Sequence, residues 1–211
     1  MAKTIPNGFL LVFDGIDGVG KSTQLELAAQ TLRQAGWDVV TARNLGGTPI
    51  GEELRKVIKA PIARPPETDL YISAAIQAAL VEEVTKLRAE GKLILMDRGP
   101  LSLAAYEIFG SGGSAERSWP HVDYGMESLK PELTIIYTAD TETALKRAKQ
   151  HSTGPDYFES KPPEYFDKVA DGYRQAASRY DGVVFLDANG DIGAIHGKTM
   201  ALIEQVLPKP S

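Results

Sequence analysis

The strongest constraint on this chain is a glycine-rich bend between two segments of opposite habit. Phe9-Leu10-Leu11-Val12-Phe13 is an unbroken apolar run, which reads as a strand covered on both faces. Lys21 to Ala35 places Leu25, Ala28, Leu32 and Ala35 on one helical stripe, and Gly36 stops it. Between them lies Gly15-Ile16-Asp17-Gly18-Val19-Gly20-Lys21-Ser22, which satisfies the pattern G-x-x-x-x-G-K-[ST]. Glycines let backbone N–H groups converge on an anion without Cβ clashes. The helix N-terminus behind them adds free donors and a partial positive charge. The phosphates of ATP match this cradle, which the spacing assigns to Gly15, Asp17, Gly18, Val19, Gly20, Lys21, Ser22 and Thr23. Lys21 is placed on the β/γ-phosphates, and the Ser22 hydroxyl is offered to Mg²⁺.

The rest of the chain repeats the alternation of strand and helix. Val39-Val40-Thr41, Leu93-Ile94-Leu95-Met96, Leu133-Thr134-Ile135-Ile136-Tyr137 and Val183-Val184-Phe185-Leu186 are further short apolar runs. Helical spacing recurs over Leu70 to Glu90, over Thr141 to Gln150 behind Asp140, and over Glu164 to Tyr180. It appears again from Ile192 to Val206, with Asp191 as the cap. The order predicts an α/β three-layer sandwich with a five-stranded parallel sheet, a P-loop NTPase fold. One domain spanning residues 1–211 is expected, since no linker or repeat interrupts the pattern. Ser111-Gly112-Gly113-Ser114 reads as a loop. Ser152 to Pro155 and Lys161-Pro162-Pro163 bracket a mobile stretch between two helices.

Composition narrows the function classes. The chain of 211 residues has no cysteine, which rules out disulfides, thiolate metal sites and cysteine nucleophiles and fits a cytoplasmic home. A formal charge of -5 without a basic run argues against a nucleic-acid polymer as partner. No apolar run approaches the ~20 residues a bilayer span needs, and Met1 to Asn7 has no long apolar core of a secretory signal. His121, His151 and His196 lie far apart, so a histidine metal site is not expected.

A second constellation follows the strand Leu93 to Met96. Strand C-terminal ends line the ligand crevice of a parallel sheet, and Asp97-Arg98 sits at one. There Asp97 can hold Mg²⁺ directly or through water, and Arg98 can clamp a phosphate with its planar fork.

These motifs resemble the thymidylate kinase family over most of the chain. Phe13 to Gln24 resembles the family's opening motif, and Gly46-Gly47-Thr48-Pro49-Ile50-Gly51-Glu52-Glu53-Leu54-Arg55 is similar to its segment after the second strand. Asp97-Arg98 with Ser102 and Ala105-Tyr106 resembles its third motif, Pro131-Glu132-Leu133-Thr134 precedes a strand as in the family, and Asp187-Ala188 resembles its late loop near the adenine. The resemblance implies transfer of the γ-phosphoryl of Mg·ATP to a deoxynucleoside monophosphate, dTMP first among them, by a homodimer. It implies that Lys21 and Arg98 stabilise charge on the moving phosphoryl, with Asp17 between donor phosphates and the acceptor sugar hydroxyl. Arg43 would face the acceptor phosphate, and Ser102 and Tyr106 would line the acceptor pocket within an acceptor region of about 43–80. A lid of about 150–162 would close over the site.

The sequence also departs from the family pattern. Asn44-Leu45 follows Arg43 where glutamate and proline are usual, and Gly99-Pro100 follows Asp97-Arg98 where an aromatic or histidine is usual. Ser73 and Gln77 stand where the family reads thymine with phenylalanine and arginine; Gln77 still offers an amide's donor and acceptor to a base. Gly18 leaves the P-loop without an arginine, and the lid stretch offers Lys149, His151, Tyr157 and Lys161, with Arg147 upstream. Two alternatives therefore stand beside the kinase of dTMP: a P-loop kinase acting on another base, nucleoside or small alcohol, and a nucleotide-binding sensor with little catalysis.

Overall fold

In the computed structural model, which describes residues 2–151, 157–158 and 160–208, five strands make one parallel sheet. They are β1 (Phe9–Asp14), β2 (Val39–Arg43), β3 (Leu93–Asp97), β4 (Leu133–Thr138) and β5 (Val183–Asp187), in the spatial order β2-β3-β1-β4-β5. Between them run helices α1 (Lys21–Gln34), α2 (Pro49–Lys59), α3 (Pro66–Ala89), α4 (Pro100–Leu103), α5 (Ala115–Leu129), α6 (Thr141–His151) and α7 (Pro163–Ala177), with α8 (Ile192–Val206) after the last strand. A π-helical segment, Ala104–Gly110, continues α4.

The continuous apolar runs are buried on both faces for a simple reason. Alternate residues of each strand point to opposite sides. Leu10 and Val12 of β1 with Ile94 and Met96 of β3 pack under Leu80 and Val84 of α3. Phe9, Leu11 and Phe13 with Leu93 and Leu95 join the larger core, which holds Leu25, Ala28 and Leu32 of α1 and Val169 and Tyr173 of α7. Register aligns Phe13 with Asp97 and Arg43 with Asp97, so the C-terminal ends of β1, β2 and β3 finish side by side. The glycine-rich turn and Asp97-Arg98 therefore open on the same edge, across the middle of the sheet.

The expected strands and helices are present, and three helices appear that their residues did not announce: α2, the single turn α4, and α5. In α2, Pro49 occupies the first turn and Thr48 caps it, its Oγ1 accepting from Gly51 N at 3.0 Å. In α5, Pro120 lies inside the helix, where it removes a backbone donor. Burial of Val122, Met126 and Leu129 and the Ser114 cap offset that loss. Of the expected lid of about 150–162, residues 152–156 and 159 lie outside the described residues; within it Tyr157 N donates to Lys59 O at the end of α2, at 3.1 Å.

Candidate active site

The turn from β1 into α1 is shaped by glycine. Gly15, Gly18 and Gly20 have φ of 134°, 80° and 94°, a left-handed range that L side chains avoid. At Gly18 a Cβ would fall 1.8 Å from the Ala144 carbonyl oxygen of α6. The close approach of α6 leaves no room for an arginine at this position. Arg147, one turn further along α6, instead lines the cleft beside the turn.

Lys21 is buried at the start of α1, with Nζ 3.5 Å from Asp17 Oδ1 and donating to Ile16 O at 3.4 Å. Burial lowers its pKa first and the Arg98 charge adds to this, against the pull of Asp17, Asp97 and Asp14. Ser22 Oγ donates to Asp97 Oδ2 at 2.9 Å. The other oxygen, Asp97 Oδ1, is buried without a hydrogen-bond partner. A carboxylate oxygen held against a hydroxyl suits a hard, oxygen-ligated cation such as Mg²⁺. Among the described residues no group of three or more His, Cys, Asp or Glu could hold a metal ion. A cation here would draw most of its ligands from phosphate and water.

Arg98 follows β3 in a left-handed conformation, φ 65°, which costs a non-glycine residue about 1–2 kcal/mol. The bend aims its guanidinium back at the turn. Nη2 donates to Asp17 Oδ1 at 2.6 Å and Tyr106 OH at 3.1 Å, and Nη1 to Gly15 O at 3.1 Å and Tyr173 OH at 3.3 Å. Burial works against its charge, but Asp17 together with Tyr106, Tyr173 and Asp14 outweighs it and keeps the guanidinium charged. The reverse holds at Asp17: burial would raise its carboxyl, and Arg98 with Lys21 instead holds it well below the usual carboxylate range.

Beneath this sits Asp14, fully buried at the end of β1. Its Oδ1 accepts from Tyr173 OH at 2.6 Å, Ser102 Oγ at 2.7 Å and Gly15 N at 2.9 Å, and its Oδ2 from Gly99 N at 3.0 Å. One carboxylate thus ties β1, the glycine turn, α4 and α7 together and fixes the tyrosine that meets Arg98.

Two clefts open on either side of Asp17, which lines both. The first is walled by the turn from Asp17 to Gln24, by Arg147 and Ala148, and by Ala188, Gly190, Ile192 and Ile195 near α8. The second is walled by Asn44 and Leu45, by Arg55 and Lys59 of α2, by Ser73 and Gln77 of α3, and by Arg98, Ser102, Leu103, Tyr106, Glu107 and Phe158.

A family model for thymidylate kinase matches residues 13–199. The chain belongs to the thymidylate kinase family. Among its relatives, a thymidylate kinase of Trichlorobacter lovleyi is 36% identical over 84% of this chain and 88% of its own length. One of Pseudomonas fluorescens is 33% identical over 95% and 97%. The departures from the family's pattern have local physical reasons. Gly99 is packed so closely that a Cβ would meet Val12 Cγ1 at 2.7 Å, and Asn44 Nδ2 reaches Gly99 O at 3.4 Å. The two unusual positions after Arg43 and after Arg98 thus touch one another.

Most sequence-predicted site residues converge, but Arg43 does not. It lies outside the lining of both clefts, gripped bidentately by Glu52 with Nη2 2.7 Å from each carboxylate oxygen. Arg55 and Lys59 occupy the cleft wall it was expected to serve. Arg55 closes the motif Gly46 to Arg55, and its spacing of four from Lys59 puts both on one face of α2. Gln77, Ser102 and Tyr106 line the second cleft. Gln77 Nε2 donates to His121 O at 2.7 Å, and its Oε1 is buried without a partner. Asp14 and Tyr173 escaped because each reads locally as a strand end and a helix stripe. Glu107 escaped too, though it shares a helical face with Ser102, Leu103 and Tyr106.

Proposed function

We propose that this protein is a nucleoside monophosphate kinase that moves the γ-phosphoryl of ATP, with Mg²⁺, to dTMP. The observation that carries this reading is the bridge between the clefts: Lys21 on one side and Arg98 on the other both grip Asp17, at 3.5 Å and 2.6 Å. A phosphoryl group passing from one cleft to the other crosses between two fixed cations. Stabilising charge on a loose, in-line transition state is the principal task of a protein in such a transfer. ATP supplies the activated phosphoryl, and Mg²⁺ neutralises charge on the donor phosphates. Backbone N–H groups of Asp17 to Thr23 and Lys21 would hold those phosphates, and Ser22 and Asp97 would hold the cation. Arg55, with Lys59 beside it, would receive the acceptor phosphate, and Asp17 would orient the acceptor. Arg147 of α6 lines the donor-side cleft and would serve there in place of a P-loop arginine.

The sensor alternative has less support, because a binder has no need of Arg98 strained into place against Asp17. A different pyrimidine acceptor keeps support from Ser73 and Gln77 in the cleft wall. Purified protein given ATP, Mg²⁺ and each of dTMP, dUMP, dCMP and dGMP decides among these. Formation of dTDP, lost on chelation and cut by two to three powers of ten in Lys21→Ala, is the expected result. No turnover with any of the four sinks the kinase.

A further inference from the structure

The acceptor cleft holds an acidic side chain that the phosphoryl transfer does not use. Glu107 lies in the π-helical segment Ala104–Gly110, a geometry frequent at functional sites. It is only 2% exposed, it lines the cleft with Ser73 and Gln77, and its Oε2 has no hydrogen-bond partner. Gln77 Oε1, on the same cleft wall, is also unpartnered.

Two cations favour its charged form, Arg64 and Lys161, and both are engaged with other partners. Asp69 of α3, 1% exposed, brings a like charge from behind. Arg64 is committed to Asp69 and to the carbonyls of Ala60, Ile62 and Ile58. Lys161 sits over the Tyr157 ring at 4.0 Å and the Tyr165 ring at 5.7 Å. Burial first, and Asp69 second, push the Glu107 carboxyl up to about 8, so it is neutral at pH 7.

Resting on the kinase reading above, we propose that Glu107 reads the acceptor base as a neutral carboxylic acid, donating one hydrogen bond and accepting another. A protonated carboxyl presents one O–H donor and one acceptor, and the proton sits on either oxygen. It therefore pairs with the N3–H and O4 of thymine and equally with the N3 and amino group of cytosine. Phosphorylation of dCMP as well as dTMP follows. An ionised carboxylate still accepts from thymine N3–H or the cytosine amino group, but it has lost the hydrogen bond the acid donates to either base.

The test is binding of dTMP and dCMP without ATP, followed by thermal shift and calorimetry from pH 7 to 9, which keeps the lowered Lys21 of the donor side out of the measurement. Other titratable groups face the cleft: Asp17 and Arg98 stay charged over this range, and burial holds Tyr106 neutral. Behind Glu107, Tyr165 is also raised by burial. Arg55 and Lys59 line the cleft as well, and any contribution of theirs persists when Glu107 is replaced. The wild-type dissociation constant for either nucleotide should rise about tenfold from pH 7 to pH 9, from the lost proton alone. Glu107→Gln keeps a donor and an acceptor at every pH and should flatten that rise. Glu107→Ala should weaken both nucleotides at pH 7 by tenfold or more while the apo protein still unfolds cooperatively. A pH rise undiminished in Glu107→Gln, or tight dCMP and dTMP binding in Glu107→Ala, overturns the proposal. Failure of turnover with binding intact counts against the kinase reading alone, because the Glu107 contact is read from binding. A wild-type chain that neither binds nor phosphorylates these nucleotides overturns both.

Discussion

Asp14 shows how one buried carboxylate governs the site without touching a substrate. Its oxygens satisfy Gly15 N, Gly99 N, Ser102 Oγ and Tyr173 OH. Truncation strands several donors in a dry interior at once, each costing about 1–3 kcal/mol. Asp14→Ala should therefore lose most of the fold's margin, read as a steep drop in the urea midpoint. Tyr173→Phe removes one hydroxyl and should cost about 1–2 kcal/mol. It should also lower kcat more than it changes the KM for dTMP, because Arg98 Nη1 loses the hydroxyl that helps fix it. Equal kcat in the phenylalanine variant would show that Asp17, Gly15 and Tyr106 position the guanidinium without it.

At the scale of elements, the packing of α6 on the glycine turn is the decisive contact. Gly18 has φ 80° and a Cβ there would strike the backbone of α6 at Ala144 and Ala148. Gly18→Ala should destabilise the chain by more than 1 kcal/mol and weaken ATP binding, measured by thermal melting with and without nucleotide. The strands were legible in the residues because parallel strands covered on both faces are continuous apolar runs. α1, α3, α6, α7 and α8 were legible through their stripes and, for α6 and α8, their caps: Asp140 Oδ2 accepts from Thr143 N and Asp191 Oδ1 from Gly193 N. α2, α4 and α5 were not: α4 is only four residues long, and Gly51 in α2 and Pro120 in α5 speak against a helix locally. The structure overrides those preferences, in α5 by burying an apolar face.

For the whole molecule, pH acts through Glu107. Its folded pKa, about 8, exceeds the ordinary value of 4.5, so the native state holds a proton that the unfolded chain releases. That contribution to stability is complete below about pH 4.5 and is lost as pH rises through 8, by at most about 1.4 kcal/mol per pH unit. Glu107→Gln should gain on the wild type in melting temperature between pH 5 and 8; parallel curves would refute the shift. We also propose pairing of two copies through the exposed apolar side chains of α2 and α3. Ile50 and Val57 lie seven residues apart on one face of α2, and Tyr71 of α3 is likewise exposed. Ultracentrifugation should find a dimer, and Val57→Glu should shift it toward monomer. Among the described residues no helix is long and apolar enough to cross a membrane.

By itself the sequence determined the phosphate cradle and the alternation of strand and helix, because both depend on neighbours within a turn or a strand. Glycine spacing decides where backbone donors can converge, and periodicity decides which face is apolar. Only the tertiary structure decided which distant residues meet. Tyr173 reaches Asp14 across 159 positions, Arg98 reaches Asp17, and Glu52 draws Arg43 away while Arg55 takes the cleft wall. It also decided the charge on Glu107, since desolvation belongs to the packed interior and is written in no local run of residues.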